Sequence, residues 1–183
     1  MTSDIEVVLA RDEAMRRIRQ DHVALESQVG GLSDDEFVAA YQTRSGPLGD
    51  FCETLRDLVA HVLMWDEINL ATLTEARSGR AHWSLDERWE TRSAGQMLNR
   101  AGVMAGRELP PALLLHRLTV TRDALLDELA AYTEDAWTSS SAVPALGDSY
   151  GGLAQRVMTV PGQPAFWHAV LHLGLATDDI RGQ

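Results

Sequence analysis

The sequence predicts an all-α fold, a four-helix bundle with a long crossover between the second and third helices. Three observations carry that expectation. Apolar residues recur at spacings of three, four and seven along four separate stretches, the period of a helix buried on one side. No segment reads convincingly as a strand, with the apolar–polar alternation a half-buried one shows. Proline, glycine and serine gather between the stretches, where a chain turns.

The first stretch runs from about Asp4 to Val29, with Val8, Met15, Ile18, Leu25 and Val29 on one stripe, and stops at Gly30-Gly31. Ser33-Asp34-Asp35-Glu36 then has the spacing of a capping box opening a short turn of helix. The second stretch, from about Thr54 to Ala76, aligns Leu55, Leu58, Val62, Trp65, Leu73 and Ala76 and ends at Ser78-Gly79. Residues 80–110 are mixed and predict the crossover, with a short helix near residues 86–104. The third long helix is predicted from Pro110-Pro111, where proline suits a first turn, to about Tyr132. Residues 138–163 form a second irregular connection, with one short helix around Leu153–Met158. Pro164 opens the fourth helix, predicted to end near Ile180. A faint echo joins "GGLSDDEF" at 30–37 to "AAYTEDAW" at 130–137: after a long helix, each offers a hydroxyl cap, acids and an aromatic.

At 183 residues the chain is expected to be a single domain, 1–183, long enough to bury a core without staples. A net charge of −11 argues against binding a nucleic-acid backbone or an anionic membrane, since both would repel it. No stretch approaches the roughly 20 apolar residues of a membrane span, and the first residues lack an apolar signal core, so a cytoplasmic location is expected. A single cysteine, Cys52, excludes an internal disulfide and a cysteine-cluster metal site. Without a base in view it is expected to be a small packing residue. Any metal must find nitrogen and oxygen ligands.

Histidines are the feature that asks for chemistry. His168 and His172 stand four apart in the fourth stretch, about 40° of rotation and 6 Å of rise from each other on a helix. Two imidazoles so placed can converge on one ion, or can both be satisfied core residues. On the wheel they share a narrow stripe with Asp179, between an apolar face (Phe166, Val170, Leu173, Ile180) and Leu171 and Leu175, with Ala165, Ala169 and Ala176 leaving room beside them. The third ligand is expected from another helix. His61 is the best placed, at the edge of the second apolar stripe, with Asp57 one turn earlier to take its other ring proton. If the three act together, their nitrogens should lie about 3–3.5 Å apart, as for ligands ~2.1 Å from one ion. His22 lies within the stripe of helix one, and Asn69 within that of helix two. Both are candidate pocket residues, as is Trp65, while His82 and His116 are expected at the surface.

"GLSDDEF" at 31–37, "GDFCETLRDLVAHVLMWDE" at 49–67 and the closing "HAVLHLGLATDDIR" at 168–181 together resemble the DinB/YfiT-like proteins, including the maleylpyruvate isomerase type. The resemblance spans about residues 4–181. It implies a four-helix bundle with a long crossover and a divalent metal, zinc or nickel, on three histidines; by motif these are His61, His168 and His172. It also implies thiol-dependent isomerisation or transfer with a low-molecular-weight thiol such as mycothiol, or hydrolysis. Gly49-Asp50-Phe51 departs from the family's usual Gly-Trp, and Asp178-Asp179 is acidic where an anionic thiol would favour bases. "MWDEINLATLTEARSG" at 64–79 is also compatible with the neighbouring ClbS-like branch, which binds reactive small molecules without depending on a metal. The expected partner is thus a small-molecule substrate, with homodimer formation left open.

Overall fold

The computed structural model describes residues 7–41, 51–89, 91–144 and 146–175. Among them every regular element is helical, apart from two isolated bridge pairs. In chain order the α-helices are α1 (Arg11–Val29), α2 (Asp34–Phe37), α3 (Leu55–Arg77), α4 (Arg92–Arg107), α5 (Pro111–Ala130), α6 (Glu134–Thr138), α7 (Tyr150–Val157) and α8 (Ala169–His172). A 3-10 turn, Trp83–Leu85, precedes α4.

Local chemistry explains most boundaries. The Ser33 hydroxyl accepts from Glu36 N–H and the Glu36 carboxylate accepts from Ser33 N–H, so α2 opens on a complete capping box. Thr54 and Asp57 do the same for α3. Pro111 occupies the first turn of α5. Gly79, with φ of 74°, lets the chain leave α3 through the left-handed region. The echoed segments both form one-turn helices capped by a hydroxyl, and their aromatics Phe37 and Trp137 are buried.

Three differences from the sequence expectation have physical causes. Helix one begins at Arg11, because Leu9, two residues earlier, has its backbone groups taken elsewhere: its N–H donates to Gln155, and its C=O accepts from the Trp137 indole. The crossover helix expected near residues 86–104 is present as α4, with its bounds moved to Arg92–Arg107. Its Gly102 and Gly106 bring it so close to α3 that a Cβ at Gly106 would lie 2.2 Å from that of Ala60. The long fourth helix from Pro164 is a single turn, α8, over the described residues. Phe166, with φ of 64°, turns the chain just before it, and Gly174, with φ of 64°, ends it. Ala176, Asp178, Asp179 and Ile180 fall outside the described residues, as do Gly49 and Asp50.

α3 is the central element, packed against α4, α5, α7, α8 and the 3-10 turn. Cross-helix pairs fix the directions. Asp66 meets Arg122 and Arg77 meets Glu128, so α3 and α5 run parallel, with α4 returning the chain between them. Arg11 bonds Tyr132 C=O and Arg122 bonds His22 C=O, so α1 runs antiparallel to α5. Two apolar clusters form the core. One gathers Met15, Ile18, Leu73, Ala76, Leu125, Leu129, Trp137 and Leu153, and the other Leu25, Phe37, Leu58, Val62, Leu114, Leu118 and Leu173. On α1, α3 and α5 alike, the residues between the two clusters are polar and buried: Asp21 and His22, Asp66 and Asn69, and Arg122. No described helix is long and apolar enough to cross a membrane.

Candidate metal centre

His61 sits in the most apolar part of α3, within the buried run Leu58–Leu63. Its helix is started by the Thr54 cap and covered on the far side by α4 and α5. His168 and His172 bracket α8, one as its N-cap and the other as its last residue, and His172 N–H reaches back to His168 C=O. One helical turn therefore aims both rings at α3. His61 Nε2 lies 3.2 Å from His172 Nε2 and 3.0 Å from His168 Nε2. All three ring pairs have centroids 5.0 Å apart and meet edge to face. The ligand-capable nitrogens fall within 4.8 Å of one another, and the two shortest separations match the expected 3–3.5 Å.

The donor set fits a divalent metal. Nitrogens 3.0 and 3.2 Å apart can each stand ~2.1 Å from a common ion. The Nε2 of His61 faces two other imidazole nitrogens at these distances, while its buried Nδ1, on the far side of the ring, has no hydrogen-bond partner among the described residues. Burial lowers the His61 pKa to about 3, with the neighbouring His172 adding to the effect. Burial, then His61 and His172, also holds His168 well below its ordinary value. His61 and His168 are thereby kept neutral, the form that can ligate.

Beside His168 lies a polar cavity of about 20 Å³, room for roughly one water. Asp21, His22, Asp66 and Asn69 line it with Ile18, Met158 and Phe166. Arg122, 2% exposed, donates from Nε to Asp66 at 3.2 Å and from Nη1 to His22 C=O at 3.2 Å, and faces Asp21 at 3.9 Å. Burial raises Asp66 to about 6 and also raises Asp21, with Arg122 opposing both shifts. His22 is lowered, by burial first and then by Arg122.

His22 and Asn69 are thus where the sequence places them, at a pocket. Asp21, Asp66 and Arg122 are residues that sequence reasoning missed. The signal was present: each occupies an apolar-stripe position, Asp21 between Ile18 and Leu25, Asp66 between Val62 and Leu73, Arg122 between Leu118 and Leu125. A charge at such a position must find a buried partner.

Three other placements differ. Asp57 does not reach His61. As the third residue of α3 it turns back to its own helix start, accepting from Glu53 N–H and Thr54 N–H, and Arg107 grips it at 2.7 and 2.8 Å. Trp65 points to α4, where its indole donates to Asn99 Oδ1 at 2.7 Å, and it does not line the cavity. His82 is buried rather than at the surface, its Nδ1 within 2.8 Å of Ser84 Oγ and 3.1 Å of Thr72 Oγ1, where it caps the 3-10 turn. His116 is exposed and Cys52 fully buried, both as expected.

Among protein families, the one described as the mycothiol maleylpyruvate isomerase N-terminal domain matches residues 18–160. That span takes in His61 and the polar residues between the two clusters, and ends before His168. No curated protein and no solved structure matches the chain.

Proposed function

The chain belongs to the mycothiol maleylpyruvate isomerase N-terminal domain family, a DinB-like group, and from that premise we propose that it is a metal-dependent enzyme acting on a small molecule. The reaction would be transfer, isomerisation or hydrolysis, with a low-molecular-weight thiol such as mycothiol, or water, as nucleophile. The observation that carries the proposal is the convergence of the His61, His168 and His172 Nε2 atoms in a buried setting.

His61, His168 and His172 would hold the metal, zinc or nickel by the preference of imidazole nitrogen. Bound to three protein ligands, such an ion keeps positions open and acts as a Lewis acid toward a thiol, a water or a carbonyl. The remaining work belongs to the chain. Burial keeps the His61 and His168 rings neutral. Asn69 and His22 offer polar atoms at the cavity wall for orienting a water. The Asp66 carboxyl, pushed up to about 6, can hold or release a proton near neutral pH beside them.

The whole chain, 1–183, is read as one DinB-like domain. Its bundle would consist of α1, α3, α5 and the segment that begins at Pro164, with α4 inside the crossover. A second reading, metal-free binding of a reactive small molecule in the manner of the ClbS-like branch, rests on the segment at 64–79. Metal analysis separates the two. Near-stoichiometric zinc or nickel in the purified protein, lost in His168→Ala, is the expected result. Absence of metal after reconstitution would leave the metal-free reading standing.

A further inference from the structure

α8 is one turn long and cannot persist by its own hydrogen bonds. Most helices recruit a capping side chain at the residue before the first turn. Here that residue is His168, whose ring is turned toward His61, and no side chain of its own caps the helix. Asp21 fills the gap from across the fold. Its Oδ1 accepts from Val170 N–H at 2.9 Å, and the N–H groups of Ala169 and His168 also act on the same carboxylate. Asp21 is itself 5% exposed and faces the Arg122 guanidinium at 3.9 Å, while Arg122 is held by Asp66 and by His22 C=O. A chain of contacts thus runs from α3 and α5 through Asp21 to the backbone that carries two of the three imidazoles. We propose that Asp21 is a positioning residue for the His168–His172 pair, supplying from α1 the cap that α8 cannot supply for itself. The consequence is that ring convergence depends on a carboxylate that touches none of the rings' nitrogens.

The test uses the full chain, with Co²⁺ as probe because its d–d absorption reports ligand geometry. This arm rests on the metal-site reading. Asp21→Ala should lose at least about tenfold in Co²⁺ affinity, the scale seen when groups orienting metal ligands are removed, and should alter the d–d spectrum. Asp21→Asn keeps an oxygen that can accept from Val170 and should bind close to wild type. Both variants leave Arg122 short of a counter-charge, so a general loss of stability would weaken them alike and could not produce that contrast. Wild-type affinity in Asp21→Ala, or equal losses in the two variants, would overturn the proposal. A second arm needs neither metal nor variant: amide hydrogen exchange in the metal-free wild type. Protection at Val170 is expected, and exchange at the rate of an unprotected loop would overturn the assignment. Should wild type take up no Co²⁺, the metal reading fails and the exchange arm still decides Asp21.

Discussion

His22 and His61 show what burial does to a base that has no counter-charge. Both are held well below the ordinary imidazole value of 6.5, His61 at about 3, with desolvation the largest cause. The folded rings stay neutral where unfolded ones take up protons, so the unfolded state binds more protons below 6.5, and stability is lost as pH falls. Each such ring removes about 1.4 kcal/mol per pH unit through that window. Asp66 acts in the opposite sense between 3.8 and about 6, because its folded carboxyl holds the proton longer. Three depressed rings (His22, His61 and His168) outnumber two raised carboxyls (Asp21 and Asp66). The melting temperature of metal-free protein should therefore drop from about pH 7.5 to about pH 5. Added zinc should raise it at both values, because folded His61 and His168 stay neutral, and so able to ligate, below pH 5. An unchanged or rising melting temperature on acidification would contradict the sign. At this scale the three converging histidines were legible from residue type and spacing. Asp57 was misjudged because a position one turn away also satisfies a capping box, and the nearer backbone donors took the carboxylate.

α4 and α8 show how the same periodic pattern can end in different lengths. α4 carries Gly95, Gly102 and Gly106, which lower its intrinsic preference. Contact outweighs propensity there, since Gly102 and Gly106 admit Met64 and Ala60 of α3. Gly106→Ala tests this directly. The new methyl meets the Ala60 Cβ, next in sequence to His61, and overpacking of this kind costs about 1–3 kcal/mol. Urea denaturation should show a lower midpoint with an unchanged slope, and Co²⁺ binding should weaken as α3 is pushed aside. A midpoint equal to wild type would mean that α4 is free to move away. For α8 the wheel fits some five turns from Pro164, while the described residues make one. Gly174 inside the predicted span was the available warning. Phe166, a left-handed aromatic, carried none, since nothing about phenylalanine favours positive φ.

The molecule as a whole closes two apolar clusters without help from any imidazole–metal bond. A small zinc module folds only with its ion, but this chain has apolar partners for α1, α3 and α5 at both ends. A chelator should therefore leave far-UV circular dichroism nearly intact and lower stability by at most a few kcal/mol. His61→Ala should likewise remain helical while losing metal. Unfolding on chelation would make the site structural and remove the main support for catalysis. The all-helical class was legible because stripes at helical spacing recur along the chain. The buried polar layer was not, because single charges interrupting a stripe are easily counted as noise until three helices place theirs at one level.

That layer also decides how the helices may slide. Leucines above and below it are nearly interchangeable, so α5 displaced by one turn along α1 and α3 would still find apolar company. Arg122 would not. Moved by a turn it would sit among Leu118 and Leu125's neighbours with no carboxylate, leaving Asp21 and Asp66 facing hydrocarbon. Stranding a buried charge in this way costs about 3–5 kcal/mol, a large part of the net stability of a folded protein. Arg122 is thus the register pin of α1, α3 and α5: the leucines make these helices adhere, and one guanidinium between two carboxylates selects the alignment in which they do so.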